Sequence, residues 1–397
     1  RWNTDDAKRT GSSTLPIRGP VFGFTLENIR SKPDLMQDVH GPWEFQGLTA
    51  QQQLYNQGAS QLHSEFGVEG LTNMRALQAT LPPEQRWPVS LDNPTWFHLG
   101  AWWVKLPVWQ TAFGGRLDSL ENTQRAAQLL QALGLRYAVE ADRRREPRNA
   151  GSLPWQFNEP YPMAASTSAV DYFGRPKPAY YAVAASYAPV HVSARFASLT
   201  CPASAGFQAQ VWVSSAEASP LRDVTLVASL RDPAGEVLWS REQRVDLPAN
   251  ASFPHLDINC PLDKLEQQLF WLDLLLYNRQ GEQISSNRYL FSQGMDLSPL
   301  FDLGETRLLV SQTNVEDHIL LEIENVGQVA ALFVWIEDAR PTGASGFMLA
   351  GQNYFCLFPG EKRRVELRWS GSASGNRPVE ISGWNFKGVS FDAEGQC

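Results

Sequence analysis

The sequence is poor in the features that mark several common classes of protein. Only four of its 397 residues are cysteine, at positions 201, 260, 356 and 397, and none has the C-x-x-C spacing of a metal site. Four cysteines are too few for a disulfide scaffold in a chain of this length. Cys201 and Cys260 either bridge two ends of one β-sandwich or, as we expect, remain free thiols.

Long apolar runs and basic clusters are also missing. No stretch approaches the roughly 20 apolar residues that span a bilayer, so we expect a soluble protein without a membrane partner. The net charge is -8 and no run of Lys or Arg exceeds three residues, which argues against a nucleic-acid partner. No motif requires a metal or an organic cofactor, and we expect neither. The compartment is left open, with secreted, periplasmic and lysosome-like locations as candidates.

The sequence does contain a large apolar fraction and many tryptophans. Hydrophobic residues make up 43% of the chain and 14 residues are Trp, and the length predicts two to four domains. Flat aromatic rings stack on the C–H faces of sugars, although most tryptophans in proteins belong to cores or interfaces. The sequence begins at Arg1, without a methionine or a signal-peptide pattern, so we expect this start to be internal to a longer polypeptide.

One short segment, Q-L-H-S-E-F-G at residues 61–67, places a carboxylate where a buried strand should end. Small and apolar residues lead into it, which is typical of a parallel strand that delivers an acid to the carboxyl end of a barrel, where catalytic residues gather. The alternative is a glutamate in an ordinary surface turn. His63, two residues before Glu65, should face the same side of the strand, either as support for Glu65 or as a core histidine.

Two downstream segments strengthen the catalytic interpretation. Residues 151–162 read G-S-L-P-W-Q-F-N-E-P-Y-P, and residues 168–182 read S-A-V-D-Y-F-G-R-P-K-P-A-Y-Y-A. Together with S-E-F-G they resemble the seventh and eighth barrel strands of family 2 glycoside hydrolases, especially the β-mannosidase-like branch. The segment D-V-H-G-P-W at residues 38–43 resembles the sixth strand of the same barrel. The resemblance covers roughly the first half of the chain.

The resemblance implies that Glu65 is the nucleophile of a retaining glycosidase. It further implies that the substrate-binding residues are Trp155 as an aromatic floor, His40 and Asp38 as substrate contacts or supports of Glu65, Trp43 as the wall of an outer subsite, and Asn158. In this family the general acid/base is a glutamate that follows an asparagine upstream of the nucleophile. Asn158-Glu159 comes after Glu65, so we interpret Glu159 as a rim residue and expect an upstream segment to supply the acid.

The fold expected from these patterns has several domains. Residues 1–188 should form the carboxyl-terminal part of a (β/α)8 TIM barrel, in which residues 69–149 are a long excursion that forms one wall of the cleft. A helix should open at Ser119 and end in a solvated charged tip at residues 142–148, and Trp96, Trp102 and Trp103 should be core residues more often than a sugar platform. Alternating apolar residues predict two immunoglobulin-like β-sandwiches, at residues 189–296 and 297–397.

The function expected is that of a retaining exo-β-glycosidase, with β-mannosides as the leading substrate and β-glucosaminides, β-galactosides and β-glucuronides as alternatives. A different class remains open, namely a non-catalytic carbohydrate-binding or scaffolding fragment. The partners expected are a β-linked carbohydrate and the upstream amino-terminal part of the same enzyme, because a barrel with three or so of its eight strands has open edges.

Overall fold

The computed structural model describes residues 38–262, 265–315, 318–370 and 377–392. The predicted loop over residues 1–35 lies outside the described residues. In the first part of the chain, a three-stranded parallel sheet has the order β1-β2-β4, and β3 pairs with β5 in a short antiparallel ladder. These strands are Asp38–His40 (β1), Leu62–Phe66 (β2), Gly70–Leu71 (β3), Ser152–Pro154 (β4) and Ala165–Ser166 (β5).

Helices fill the connections between these strands. They are Ala50–Asn56 (α1), Met74–Thr80 (α2), Pro94–Gly100 (α3), Leu106–Ala112 (α4), Leu120–Arg143 (α5) and Pro178–Ser186 (α6), with single 3-10 turns at Pro83–Gln85 and Ala101–Trp103. The region between β2 and β4 is therefore the long, mostly helical excursion that the sequence predicts.

Helix α5 is the longest of these helices and packs through its predicted apolar face. Its N-cap is Ser119, whose hydroxyl accepts a hydrogen bond from the Asn122 N–H at 3.1 Å. The charged end of the helix, residues 142–148, was expected to be a solvated tip; this is wrong for residues 142–144, which are buried, whereas Pro147 and Arg148 are exposed. Arg143 is buried and donates to the carbonyls of Ser186 and Ala188, because these groups need a donor where the chain leaves α6.

Two antiparallel β-sandwiches follow. The first has sheets of order β10-β7-β6 and β12-β11-β8-β9, and the second has sheets of order β13-β14-β18-β16 and β17-β15-β19-β20. The first contains Val190–Phe196 (β6), Phe207–Ser215 (β7), Leu221–Arg231 (β8), Val237–Leu247 (β9), Ala251–Cys260 (β10), Leu269–Tyr277 (β11) and Gln283–Ser292 (β12). The second contains Leu308–Val315 (β13), His318–Asn325 (β14), Ala331–Asp338 (β15), Met348–Ala350 (β16), Phe355–Leu357 (β17), Lys362–Trp369 (β18), Pro378–Ser382 (β19) and Val389–Asp392 (β20).

Alternation of apolar and polar residues produces these sandwiches. Along β14 every second side chain is buried, so that one face of the strand enters the core. Strand β11 is buried almost throughout, because it lies between β12 and β8 in the middle of its sheet. The predicted domain limits at residues 188 and 296 stay predictions, although the change from helix to pure β structure falls between α6 and β6.

A buried polar network joins α5 to the first sandwich. The Glu140 carboxylate accepts hydrogen bonds from Tyr289 Oη at 2.7 Å and from Asn287 Nδ2 at 2.8 Å, and it lies 3.1 Å from His191 Nε2. Burial raises the pKa of Glu140, but His191 and nearby arginines outweigh this effect and hold the pKa below its usual range. The long helix and the sandwich are therefore linked by charge as well as by apolar packing.

Within the described part of the chain, Cys201 and Cys260 do not form a disulfide. The residues that the structure describes include no group of His, Cys, Asp and Glu arranged to hold a metal ion. No helix among them is both long and apolar enough to cross a membrane.

Candidate active site

Glu65 lies at the carboxyl end of β2, directly opposite His40 of β1 in the parallel ladder. The register shifts at this point, since Ser64 is an extra residue between the paired positions. The Ser64 N–H donates to Asp38 Oδ1 at 3.3 Å, which fixes the bulge. Of the predicted site residues, Asp38 and His40 thus lie beside the proposed nucleophile.

Each carboxylate oxygen of Glu65 has a partner, one from the last residue of β1 and one from the segment that follows it. Trp43 Nε1 donates to Oε1 at 2.9 Å, and His40 Nε2 lies 3.3 Å from Oε2. The two aromatic rings meet edge to face, with centroids 5.2 Å apart. The side chain of Glu65 stays 25% exposed, so it is held in place without being closed off from a ligand.

Gly41 makes the approach of Trp43 to Glu65 feasible. It has φ +99°, a conformation that glycine adopts without strain, and its N–H donates to the Glu65 carbonyl at 2.5 Å. A Cβ at Gly41 would lie 2.8 Å from the indole ring of Trp43. The sequence interpretation placed Trp43 on the wall of an outer subsite and missed this contact. The one available signal was the glycine in H-G-P-W, which permits a sharp reversal after the strand.

Trp155 comes to the same edge of the sheet from β4. Its N–H donates to the Phe66 carbonyl at 2.6 Å, and its side chain is 36% exposed. A Cβ at Gly67 would lie 2.5 Å from the Trp155 carbonyl oxygen, so the glycine of S-E-F-G is required by this close approach. Asn158 is exposed on the following loop, where it forms a parallel bridge with Val170.

Glu159 is a buried structural carboxylate. It is 3% exposed and accepts hydrogen bonds from the hydroxyls of Ser166 and Ser168 at 3.2 Å and from the Tyr172 N–H at 3.1 Å. Lys177 is fully buried nearby, and burial lowers the pKa of its ammonium to about 8 although the Glu159 charge favours the protonated form. This environment closes Glu159 off from a substrate and braces the loop that follows Trp155.

His63 is a core residue beneath the site. It is 1% exposed, with Nδ1 at 3.0 Å from Asp142 Oδ2 and Nε2 at 2.9 Å from the Gly41 carbonyl. The predicted alternation with Glu65 does not hold, because the bulge at Ser64 interrupts the period of two. Asp142, at the end of α5, therefore supports the strand and the turn that position Glu65.

Glu69 stabilises the loop after Trp43 from the other side. It is fully buried, and its oxygens accept hydrogen bonds from the Phe45 N–H at 2.8 Å and from Trp109 Nε1 at 3.1 Å. Burial nevertheless raises the pKa of Glu69 from 4.5 to about 7. The folded protein thus holds this proton more tightly than the unfolded chain does.

Because the pKa of Glu69 is higher in the folded state, we expect its contribution to the free energy of unfolding to fall as the pH rises. The loss should approach about 3 kcal/mol between about pH 4.5 and about pH 7. Glu69→Gln should flatten this slope, whereas exposed Glu84→Gln should leave it unchanged. Urea denaturation of both variants across this range tests the assignment; an unaltered slope in Glu69→Gln would refute it.

Comparison with known proteins identifies the two sandwiches. Residues 208–293 match the Mannosidase Ig/CBM-like domain, and residues 288–386 match the Exo-beta-D-glucosaminidase Ig-fold domain. Beta-mannosidase B of Aspergillus niger is 30% identical over 166 residues, which are 40% of this chain and 19% of that protein. These matches support the resemblance of this chain to a carboxyl-terminal portion of a family 2 glycoside hydrolase. The resemblance predicted from the sequence is confirmed.

Solved structures agree with this family 2 fold. The exo-chitosanase CsxA of Amycolatopsis orientalis superposes with a TM-score of 0.73 at 17% identity, over 89% of this chain and 46% of that one. A beta-D-mannosidase from Dictyoglomus thermophilum gives a TM-score of 0.69 at 19% identity, over 88% of this chain and 40% of that one. The family 2 portion thus spans about a fifth of the A. niger relative and less than half of each solved chain.

Proposed function

We propose that this chain carries the nucleophile side of the active site of a retaining exo-β-glycosidase, with Glu65 as the nucleophile. The observation that carries the proposal is the environment of the Glu65 carboxylate. It stands at the end of a parallel strand, is held by Trp43 and His40 on separate oxygens, and remains partly exposed near Trp155.

The proposed reaction has two steps. A Glu65 oxygen attacks the anomeric carbon, the glycosidic C–O bond breaks, and a glycosyl ester forms as the leaving oxygen takes a proton from a general acid. Water then attacks the same carbon, the conjugate base takes its proton, and Glu65 leaves as a carboxylate. Trp43 Nε1 donates to Oε1 of that carboxylate and so favours its departure in the second step.

We assign the general acid to an upstream part of the enzyme, about 5 Å from Glu65, as a retaining mechanism requires. Glu159 does not suit the role because it is buried and already accepts three hydrogen bonds. Among the described strands, β1 and β4 each pair with one neighbour. Leu153 within β4 and Phe157 just after it are 53% and 65% exposed. We propose that further strands pair with these edges and cover these side chains to complete a TIM barrel.

We propose β-mannosides as the substrate. The relatives named as β-mannosidases and the D-V-H and W-Q-F-N segments favour this sugar, as do N-Y-F-C-L-F-P-G-E at residues 353–361 and G-W-N at residues 383–385, which resemble the terminal sandwich of the β-mannosidase branch. Because one structural neighbour is an exo-chitosanase, β-glucosaminides are an alternative substrate. β-Galactosides and β-glucuronides, which also have an equatorial glycosidic bond, are further alternatives.

Trapping of the ester intermediate tests the proposal. The full-length protein and the present chain are each exposed to 2-deoxy-2-fluoro-β-mannosyl fluoride, whose leaving group needs little protonation, and are analysed by intact mass and peptide mapping. We expect a sugar adduct on Glu65 in the full-length protein. An adduct on another carboxylate would overturn the assignment of Glu65. If only 5-fluoro-β-glucosaminyl fluoride reacts, which keeps the 2-amino group, Glu65 stands and the proposed sugar is wrong.

Trp43→Phe should slow the breakdown of the glycosyl ester more than its formation. The departing Glu65 carboxylate loses its hydrogen-bond donor, which should cost about tenfold in the second step. With an activated aryl glycoside, stopped-flow measurement should therefore show a burst of leaving group before the steady state. Trp87→Phe, at a 42% exposed tryptophan, is the matched control and should behave like the parent. A parent-like time course for Trp43→Phe would contradict the role given to the indole.

A further inference from the structure

A short 3-10 helix, Ala101–Trp103, lies between two parts of the site. On one side the Trp103 ring contacts the Trp155 ring, with centroids 5.8 Å apart. On the other side Lys105, two residues after the helix, places its Nζ 2.6 Å from Oε1 of Glu44. Glu44 directly follows Trp43 in the chain. The helix is thus tied to both segments that flank Glu65, and it lies at the mouth of the site.

This helix is firmly supported from below. The Leu99 carbonyl accepts a hydrogen bond from the Ala164 N–H at 2.9 Å, and the Val104 N–H donates to the Gly100 carbonyl at 3.0 Å. Trp96 before the helix and Trp109 after it are fully buried. The segment is therefore a rigid part of the fold, and the direction of its side chains is fixed by packing.

Trp102 stands out on this rigid support because its side chain is 80% exposed. The expectation that it belongs to the core is wrong, whereas Trp96 is indeed a core residue. Successive residues of a 3-10 helix point about 120° apart, so Trp103 turns towards Trp155 while Trp102 does not share that packing. A large apolar ring is left open to solvent on the residue next to Trp103, whose own ring contacts the proposed sugar floor.

We propose that Trp102 is a stacking platform for the second sugar of a β-linked oligosaccharide, on the leaving-group side of the bond that is cleaved. The inference rests on the proposed function of Glu65. A pyranose has apolar C–H faces and a polar rim, and an exposed indole on a fixed backbone matches such a face at little entropic cost. Trp102 is the chain neighbour of Trp103, whose ring contacts Trp155, so the backbone of the platform lies one residue from a side chain that touches the floor.

The consequence is a preference for substrates with a sugar as leaving group. The terminal sugar would lie between Glu65 and Trp155, and the next sugar would reach Trp102. A glycosyl fluoride, which has no ring on the leaving side, cannot use this contact. The ratio of kcat/KM for a β-linked disaccharide to kcat/KM for the matching β-glycosyl fluoride therefore isolates the platform from the chemistry at Glu65.

We would measure this ratio in the full-length protein and in three variants. Trp102→Ala should lower it by about fivefold, in line with the worth of an aromatic stacking contact, and Trp102→Phe should retain most of it. Phe97→Ala removes another aromatic side chain, 59% exposed on α3, and should leave the ratio unchanged. An unchanged ratio in Trp102→Ala, or an equal fall in Phe97→Ala, would overturn the platform. If the parent hydrolyses neither substrate, the proposed function fails, which is a distinct result.

Discussion

Glu65→Gln in the full-length protein should lower kcat for β-glycoside hydrolysis by roughly 10⁴-fold, because an amide cannot form the glycosyl ester. The substitution keeps the size of the side chain, and its one remaining oxygen can accept either the Trp43 or the His40 contact. Binding of the substrate should survive, and isothermal titration with an uncleaved β-linked disaccharide measures that directly.

A matched control and a rescue make this prediction specific. Glu84→Gln, at an exposed glutamate on a 3-10 turn, should keep parental activity. Glu65→Ala with added azide should form an α-glycosyl azide, because azide attacks the anomeric carbon from the face that the carboxylate has vacated. If Glu65→Gln retains the activity of the parent, the nucleophile is another residue. If the parent binds the disaccharide but cleaves no β-glycoside, the chain belongs to a carbohydrate-binding protein instead.

Asp142→Ala should lower the free energy of unfolding by about 4 kcal/mol, because it leaves the buried His63 ring and the Arg145 guanidinium without the carboxylate that both contact. Burial raises the pKa of Asp142, but His63 and Arg145 outweigh it and hold the pKa below its usual range. The stability from this pair is present above the ordinary pKa of an aspartate, and it is lost as the pH falls through the lowered value in the folded state. Urea denaturation of the parent and the variant near neutral pH measures this difference in the free energy of unfolding.

The control for Asp142→Ala lies on the same helix. Glu121 is exposed and pairs with Arg125 one turn later, so Glu121→Ala should change stability by less than about 0.5 kcal/mol. A similarly small effect of Asp142→Ala would show that the His63 contact carries no net stability. Because His63 also contacts the Gly41 carbonyl, loss of Asp142 should loosen the turn that places Trp43 on Glu65, and kcat should fall together with stability.

The regular elements were largely predictable from the sequence, because period and composition are local signals. The apolar run at residues 269–277 and the alternating run at residues 362–369 coincide with β11 and β18. The long helix was recognised from its N-cap serine and from apolar residues at three- and four-residue spacings. The position of Glu65 at a strand end followed from the same kind of reasoning.

The contacts of the site were not predictable in the same way. The Trp43 bond to Glu65 depends on a reversal of the chain at Gly41, and the burial of His63 depends on a bulge at Ser64. Arg143 was predicted to be solvent-exposed because its partners lie more than 40 residues away in the sequence. They are the carbonyls of Ser186 and Ala188, at the end of α6 and just after it. Such pairs are created by the tertiary fold, and a single sequence carries no local trace of them.

The network around Glu140 has a consequence for exchanging the first sandwich between related chains. Glu140 holds Tyr289 of the first sandwich, and Asp142, two residues later, holds His63 two residues before Glu65. The sandwich is thus separated from β2, the strand that carries Glu65, by only a few side chains of α5. A chimera that exchanges this sandwich with that of a relative should remain active only if the replacement supplies equivalent partners for Glu140. In engineering, the first sandwich and the part of the chain that carries Glu65 should then be exchanged together.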